Sequence, residues 1–417
     1  MGTLREDAQT IIAESIKEVL PEAAVIKALQ EKTFPGKVVA VAIGKAAWNM
    51  AKAAKDTLGD RLEKGVVVTK YDHSRGDIAG FEIIEAGHPI ADENSVLGAS
   101  KALELVRDLG SEDTVVFLVS GGGSALFEKP MKGVLLEDIM DVTDQLLKSG
   151  ADIVEINTVR KHLSAVKGGK FASQCGKAKI FTIVLSDVIG DRLDSIASGP
   201  AYPDSSTSEE ALLIADRYNL QLSEEVRQVL MIETPKVVEN CETVITGSVS
   251  ELCKAAAKAA SALGYEPYLL SSTVDGEARE VGRFLAALAR EIRRGTSTLK
   301  PPCALIAGGE TVVRIKGTGK GGRNQELALS AALGIAGLND VVIFSVGSDG
   351  TDGPTDAAGG MVDGSSVQRM RHAGKLPEVH LDENDSYHAL KSIGDLLVTG
   401  STGTNVNDLM VVLVREE

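Results

Sequence analysis

Short runs of aliphatic, largely β-branched residues recur along this chain, and each breaks into a polar loop before a helix-like stretch. Lys37-Val38-Val39-Ala40-Val41-Ala42-Ile43 turns at Gly44-Lys45 into the Ala-rich stretch Ala46 to Lys55, a strand-turn-helix unit. Further runs at Val66 to Val68, Phe81 to Ile84, Val115 to Val119 and Ile180 to Leu185 alternate with helical patterns. Alternation of this kind predicts an α/β fold with a doubly wound parallel sheet. A second series begins at Thr243 to Gly247, passes through helices at Val249 to Leu263 and Glu277 to Arg294, and returns at Ala304 to Ala307, which predicts a second α/β domain. The charged, low-glycine helical segment around Ser208 to Glu233, followed by Thr234-Pro235, puts the boundary near 235, giving domains 1–235 and 236–417. Arg5 to Gln30 carries apolar residues at helical spacing and reads as one or two packing helices. Ligands of open α/β sheets collect beyond the carboxyl ends of the strands, so the loops there are expected to share a crevice.

Charge narrows the partners. A formal net charge of −15 over 417 residues disfavours nucleic acid, which needs a broad basic face, and anionic membranes for the same reason. Cys175, Cys241, Cys253 and Cys303 are widely spaced without a C-x-x-C pair, so neither a zinc site nor a disulfide framework is expected. The N-terminus lacks a secretory pattern, and no apolar run approaches the roughly 20 residues a bilayer requires. These features point to a soluble, cytoplasmic protein.

Basic charge is concentrated in one place. From Thr311 to Arg323 there are Arg314, Lys316, Lys320 and Arg323 and no acid. The loop Gly317-Thr318-Gly319-Lys320-Gly321-Gly322-Arg323 follows a strand-like Thr311 to Ile315 and precedes a helix-like stretch opening Asn324-Gln325-Glu326. Glycines let backbone approach a ligand closely, and the open N–H groups of a helix start attract anions. Gly317, Gly319 and Gly322 also fit the dinucleotide pattern G-x-G-x-x-G, so phosphate binding, dinucleotide binding and a structural turn all remain open. Downstream, Ser348-Asp349-Gly350-Thr351-Asp352-Gly353-Pro354-Thr355-Asp356 places Asp349 nearest a strand end. Mg²⁺ carried on a nucleotide takes one or two protein carboxylates, and Asp349 is the candidate.

Other loops carry comparable chemistry. Gly44-Lys45 sets an ammonium at a helix start, where the dipole disfavours it unless an anion is bound. Ser120-Gly121-Gly122-Gly123-Ser124 resembles a nest of backbone N–H groups for phosphate or carboxylate, or a tight turn. In Asn157 to Lys170, rich in Lys and Arg, a helix would put Arg160, Ser164 and Lys167 on one side, with Lys161 adjacent; a solvated basic face is the alternative. Asp187, at the end of another apolar run, is a candidate base, hydroxyl ligand or turn acid.

The ordered set A-I-G-K-A-A, G-H-P-I-A-D-E-N-S, S-G-G-G-S-A-L, N-T-V-R-K-H-L-S-A-V-K-G-G-K, S-D-V-I-G-D, S-G-P, G-G-E-T, G-K-G-G-R-N-Q-E, S-D-G-T-D-G-P-T-D-A-A-G and T-G-T-N-V-N-D spans nearly the whole chain. It resembles the class II glycerate 2-kinases, whose C-terminal part is the MOFRL domain. The resemblance implies a Rossmann-like N-terminal domain and a smaller α/β domain with the active site in a cleft between them. It implies ATP-dependent phosphorylation of D-glycerate at its 2-hydroxyl, giving 2-phosphoglycerate and ADP, with a divalent cation such as Mg²⁺. Lys45 and Arg323 occupy the family's basic motif positions. On this reading Lys45 and Arg323 neutralise the transferring phosphoryl group, and Asp349 positions the metal. Asp187 orients or deprotonates the hydroxyl, while Gly44, Ser120 to Ser124, Arg160, Lys161, Lys167, the 317–322 loop, Asn324 and Glu326 hold substrate or nucleotide. Members have also been labelled hydroxypyruvate reductases, so an NAD(P)H-dependent reductase stays as an alternative, as does a non-catalytic phosphosugar- or nucleotide-binding module. A homodimer is left open.

Overall fold

A computed structural model of the chain describes residues 2–30, 32–185 and 196–416. Their contacts divide it into two units, Pro21–Thr246 and a second made of Met1–Leu20 with Gly247–Glu417.

In the first unit, β1 (Val38–Ile43), β2 (Leu62–Lys70), β3 (Phe81–Ala86), β4 (Thr114–Val119), β5 (Lys179–Leu185) and β6 (Cys241–Gly247) form one sheet in the order β3-β2-β1-β4-β5-β6. β1 is parallel to both β2 and β4, as β2 is to β3 and β4 to β5. Every residue of β1 is buried, because alternate side chains enter two different cores. Val39, Val41 and Ile43 pack with the helix Glu93–Val106 and with Phe171, while Val38, Ala40 and Ala42 pack with Pro21–Gln30 and Ala47–Leu58. Helices cover both faces, as the apolar runs require. Beside this sheet, Leu136–Lys148, Ile153–Leu163, Ser208–Arg217 and Glu224–Leu230 bury a separate helical core around Leu146, Val159, Ala211 and Leu230.

The second unit carries β7 (Glu266–Val274), β8 (Cys303–Gly309), β9 (Val341–Gly347), β10 (Gly359–Asp363), β11 (Leu396–Leu397) and β12 (Asp408–Val414), ordered β11-β10-β9-β12-β8-β7. This sheet is mixed: β12 runs antiparallel to both β8 and β9, and β7 parallel to β8. Cys303, Leu305 and Ala307 of β8 face a core made with Ala278–Arg293 and Arg323–Ile335. Ala304 and Ile306 face the other, with Val249–Ala262 and the N-terminal helix Leu4–Glu18.

Two elements lie elsewhere than the sequence order suggested. Thr243 to Gly247, read as opening the second series, belongs to the sixth strand of the first sheet. The first helix buries Ala8, Ile11, Ile12 and Ile16 in the second unit. An amphipathic pattern states that a face must be buried and does not say against which sheet. The strand expected at Thr311 to Ile315 is also absent: Val312 makes a single bridge to Glu277, and Ile315 is 79% exposed.

Phe117, Phe127 and Phe171 are wholly buried, with ring centroids 4.8 Å apart for Phe117–Phe171 and 5.5 Å for Phe127–Phe171. Phe117→Ala is expected to cost about 3–5 kcal/mol, read from chemical denaturation.

Candidate functional site

The order β3-β2-β1-β4-β5-β6 reverses direction between β1 and β4, the switch point beyond which open α/β sheets place their ligand loops. Gly44 and Lys45 leave β1 at this point, and Ser120 to Gly123 leave β4. The two loops are stitched together at the backbone. Lys45 N donates to Gly121 O (2.9 Å), Ser120 N to Ile43 O (3.0 Å), and Ala46 N to Ser120 Oγ (3.1 Å). Gly44 has φ +111, and a Cβ there would stand 2.3 Å from Ser120 Oγ, so only glycine permits the approach.

Beyond the stitch the polar groups are open. Among the described residues, no acceptor takes the amides of Gly121 and Gly122, and the Lys45 ammonium has neither a hydrogen bond nor an ion pair. Gly122 has φ +84, and a Cβ on it would meet Lys45 Cγ at 3.3 Å, so the lysine stem lies against the glycines. Ser124 closes the other side: its Oγ is 2.8 Å from Ser198 Oγ and accepts from Arg160 Nη1 (3.2 Å), while its carbonyl accepts from Arg160 Nη2 (3.1 Å). Ser198 Oγ in turn donates to Asn157 Oδ1 (3.3 Å). Amides and an ammonium without partners among the described residues are the groups from which an anion site is built.

Lys161 and Lys167 are not part of that surface. The helix Ile153–Leu163 ends before Ser164, so Arg160, Ser164 and Lys167 do not share a helical face. Lys161 Nζ is buried 3.1 Å from Asp204 Oδ1, and Lys167 Nζ is wholly buried 3.1 Å from Glu128 Oε2, donating also to Phe127 O (2.8 Å). Burial pulls the Lys167 pKa down to about 8 against the opposing pull of Glu128. Glu128 Oε2 is also 3.7 Å from Arg160 Nη2, so Lys167 helps hold the carboxylate that backs Arg160. Asp187 lies outside the described residues.

The glycine-basic loop of the second unit is satisfied by its own chain. Lys316 N and Gly317 N donate to Asn384 Oδ1, Gly319 N to Glu383 O, and Lys320 N to Asp385 Oδ1. A Cβ on Gly317 or Gly319 would fall 2.4 Å from atoms of Glu383 or Asp385, and one on Gly321 2.2 Å from Ser386 Oγ. These glycines let the loop lie on the 383–386 turn. The start of the helix Arg323–Ile335 is occupied as well: Asp352 accepts from Asn324 N (3.1 Å), Gln325 N (2.9 Å) and Gln325 Nε2 (2.9 Å), and a Cβ on Gly322 would meet its Cγ at 2.3 Å. The expected open helix terminus is therefore closed by a carboxylate, which takes from the G-x-G-x-x-G match the feature a dinucleotide needs. Asn324 and Glu326 are buried; Asn324 accepts from Ser345 Oγ, and Glu326 binds Arg279 Nε (3.1 Å) and Asn384 Nδ2 (2.9 Å).

What stays accessible there lies past the ends of β8 and β9 and the start of β12. Arg323 makes a bidentate pair with Asp408, Nε to Oδ2 at 2.6 Å and Nη2 to Oδ1 at 3.0 Å, and Nη1 is 3.3 Å from Glu310. Burial opposes its charge, but the hydrogen bonds and charge of Asp408 prevail and raise the pKa. Asp349 takes Thr351 N on Oδ1 (2.8 Å), leaving Oδ2 free of hydrogen bonds among the described residues. Those residues contain no group of three His, Cys, Asp or Glu that could hold a metal alone. One half-buried carboxylate with an oxygen to spare is nevertheless the donor that Mg²⁺ carried on a nucleotide uses, its other ligands being phosphate and water.

Asp352, Asp408 and Ser198 carry much of this organisation and were not singled out from the sequence, although each sits in one of its glycine-rich motifs. All four cysteines are free thiols, with Cys241 the one not fully buried. No helix among the described residues is long and apolar enough to cross a membrane.

Two family models match the chain: one described as a domain of unknown function (DUF4147), over residues 7–231, and the MOFRL family, over residues 303–408. The chain is similar to a D-glycerate 2-kinase of Thermotoga maritima, 53% identical over 412 residues that cover 99% of each chain. A glycerate 2-kinase of Pyrococcus horikoshii is 44% identical over 440 residues, covering 99% of this chain and 98% of the relative. A crystal structure of a Thermotoga maritima glycerate kinase matches with a TM-score of 0.96 at 53% identity, covering 99% of both chains.

Burial pushes the Asp352 carboxyl up to about 6 from an ordinary value of 3.8, despite the amides that donate to it. The folded chain thus holds this proton more tightly than the unfolded one. The stability it contributes is complete below pH 3.8 and is lost as pH rises through about 6. Relative to Asp352→Asn, the native protein should lose about 2–3 kcal/mol between those limits, measured by denaturant titration across pH.

Proposed function

The chain belongs to the glycerate kinase family that carries the MOFRL domain, and we propose that it transfers the γ-phosphoryl group of ATP to the 2-hydroxyl of D-glycerate. The observation that carries the mechanism is the Lys45 ammonium beside the amides of Gly121 and Gly122, all without a partner among the described residues. Phosphoryl transfer asks the protein for cations and for positioning, with little covalent work. In this proposal Lys45 neutralises charge on the transferring group. The nest from Ser120 to Ser124 holds a phosphate or carboxylate oxygen, with Arg160 fixing Ser124.

Arg323 offers its Nη1 edge, where Glu310 is the partner nearer to solvent and the one a phosphate would displace. Asp408 fixes the guanidinium plane meanwhile. Lys320, whose ammonium lies 4.8 Å from the Tyr387 ring centroid, adds a second cation of the same unit. Gly317, Gly319, Gly321, Gly322, Asn324 and Glu326 support this by shaping the backbone that presents Arg323 and Lys320. Asp349 would hold Mg²⁺, which screens phosphate charge when bound. Exclusion of water favours transfer to the sugar acid over hydrolysis.

Incubation with ATP and D-glycerate should release ADP and give 2-phosphoglycerate, identified by phosphorus NMR. NADH oxidation with hydroxypyruvate, run in parallel, should stay at background, and the opposite pattern would establish the reductase. Lys45→Ala is expected to lower kcat roughly 10²- to 10³-fold with the fold intact. Turnover near that of the native enzyme would remove Lys45 from the role. Asp349→Asn should raise the Mg²⁺ concentration needed for half-maximal rate, and an unchanged metal dependence would remove Asp349.

A further inference from the structure

The loop after β3 brings a side chain to the anion site that none of these roles uses. A Cβ built on Gly122 would lie 3.0 Å from His88 Cδ2 and 3.1 Å from His88 Nε2, as well as 3.3 Å from Lys45 Cγ. Imidazole and lysine stem therefore flank one glycine whose amide has no acceptor among the described residues. Neither ring nitrogen of His88 has a hydrogen-bond partner among the described residues.

Among the described residues, neighbouring groups that could compete for a proton already have partners. Asp92 Oδ1 accepts from Ser95 N (3.0 Å), and its Oδ2 from Tyr71 Oη (2.7 Å), so its carboxyl is held below the ordinary range although burial acts the other way. Glu85 Oε1 accepts from Ser74 N (2.9 Å), Glu128 is buried against Lys167, and His73 Nδ1 lies 3.0 Å from Lys45 O. Burial, then Lys45, Lys70 and His73, lower the His88 pKa from its usual 6.5, so the ring is neutral at pH 7 and keeps a lone pair.

We propose that His88 is the general base that takes the proton of the acceptor hydroxyl as the phosphoryl group is transferred. The inference rests on the glycerate kinase reading above. As the hydroxyl oxygen forms its bond to the γ-phosphorus, its O–H bond breaks and the proton passes to the His88 nitrogen that faces Gly122. The bond from phosphorus to the bridging oxygen breaks with its electron pair leaving on ADP, and the imidazolium later returns its proton to solvent. Lys45 lies where it stabilises negative charge growing on the hydroxyl oxygen. Proximity to that cation keeps the base unprotonated between turnovers.

The test begins with the native enzyme: if it makes no 2-phosphoglycerate, the glycerate reading fails and His88 is not the cause. With that activity established, His88→Asn and His88→Ala are compared across pH, their folds checked by circular dichroism. The sign follows from the base being active when unprotonated. Native kcat/KM should fall on the acidic side, with its midpoint at a lower pH than the ordinary imidazole value. Both variants should lose roughly 10²-fold in kcat with glycerate KM near the native value, their acidic limb should flatten, and added imidazole should restore part of the His88→Ala rate. A folded His88→Asn enzyme that keeps a kcat close to native together with the acidic limb overturns the proposal.

Discussion

The approach of two backbones at Gly44 and Ser120 governs the first unit's chemistry. Parallel strands buried on both faces leave their loops as the part free to vary, and the sheet reverses its winding between β1 and β4. At that seam the loops exchange hydrogen bonds over distances that exclude a Cβ on Gly44. Rigidity follows from this contact: the Lys45 backbone, the amides of Gly121 and Gly122, and the glycine face offered to His88 are fixed by main chain, while the Lys45 ammonium keeps the freedom of its stem. Preorganised donors of this kind lose little entropy when an anion arrives.

The second unit reaches order by the opposite route. Its most conspicuous motif, from Gly317 to Glu326, spends its amides, glycines and polar side chains on its own neighbours, the 383–386 turn, Asp352 and Arg279. A helix start that looks like an anion site in the sequence is one, but the anion is Asp352. The accessible charge is displaced by a residue or two, to Arg323 at the first turn and to Glu310 opposite it. A ligand there competes with a carboxylate, so charge neutralisation is exchanged and not newly created.

Strand runs and their loops were legible because a strand buried on both faces must be continuously apolar, as β1 and β8 are and as β12 is after Asp408. Lys45 and Ser120 to Ser124 were legible for the same reason, being the residues at which such runs stop. Which sheet receives an edge strand or an amphipathic helix was not, since Cys241–Gly247 and Leu4–Glu18 carry no mark of their partner. Lys161 and Lys167 misled as surface charges because their counter-ions, Asp204 and Glu128, lie more than thirty residues away in sequence. His88 sat within a quoted motif, yet only the space above Gly122 connects it to Lys45.

The helix Leu4–Glu18 packs in the same core as β12, and Arg415 bonds both Asp7 and the carbonyl of Gly2. Ile11 and Ile12 find their cover against Val249–Ala262 and β9, elements made long after the helix itself. The unit Pro21–Thr246 has all of its own residues before either is made. Until those elements exist the helix keeps an apolar face with nothing to cover it, a handle that chaperones or premature self-association could seize. The second unit therefore matures after the first, its own opening helix waiting while the whole of Pro21–Thr246 is made.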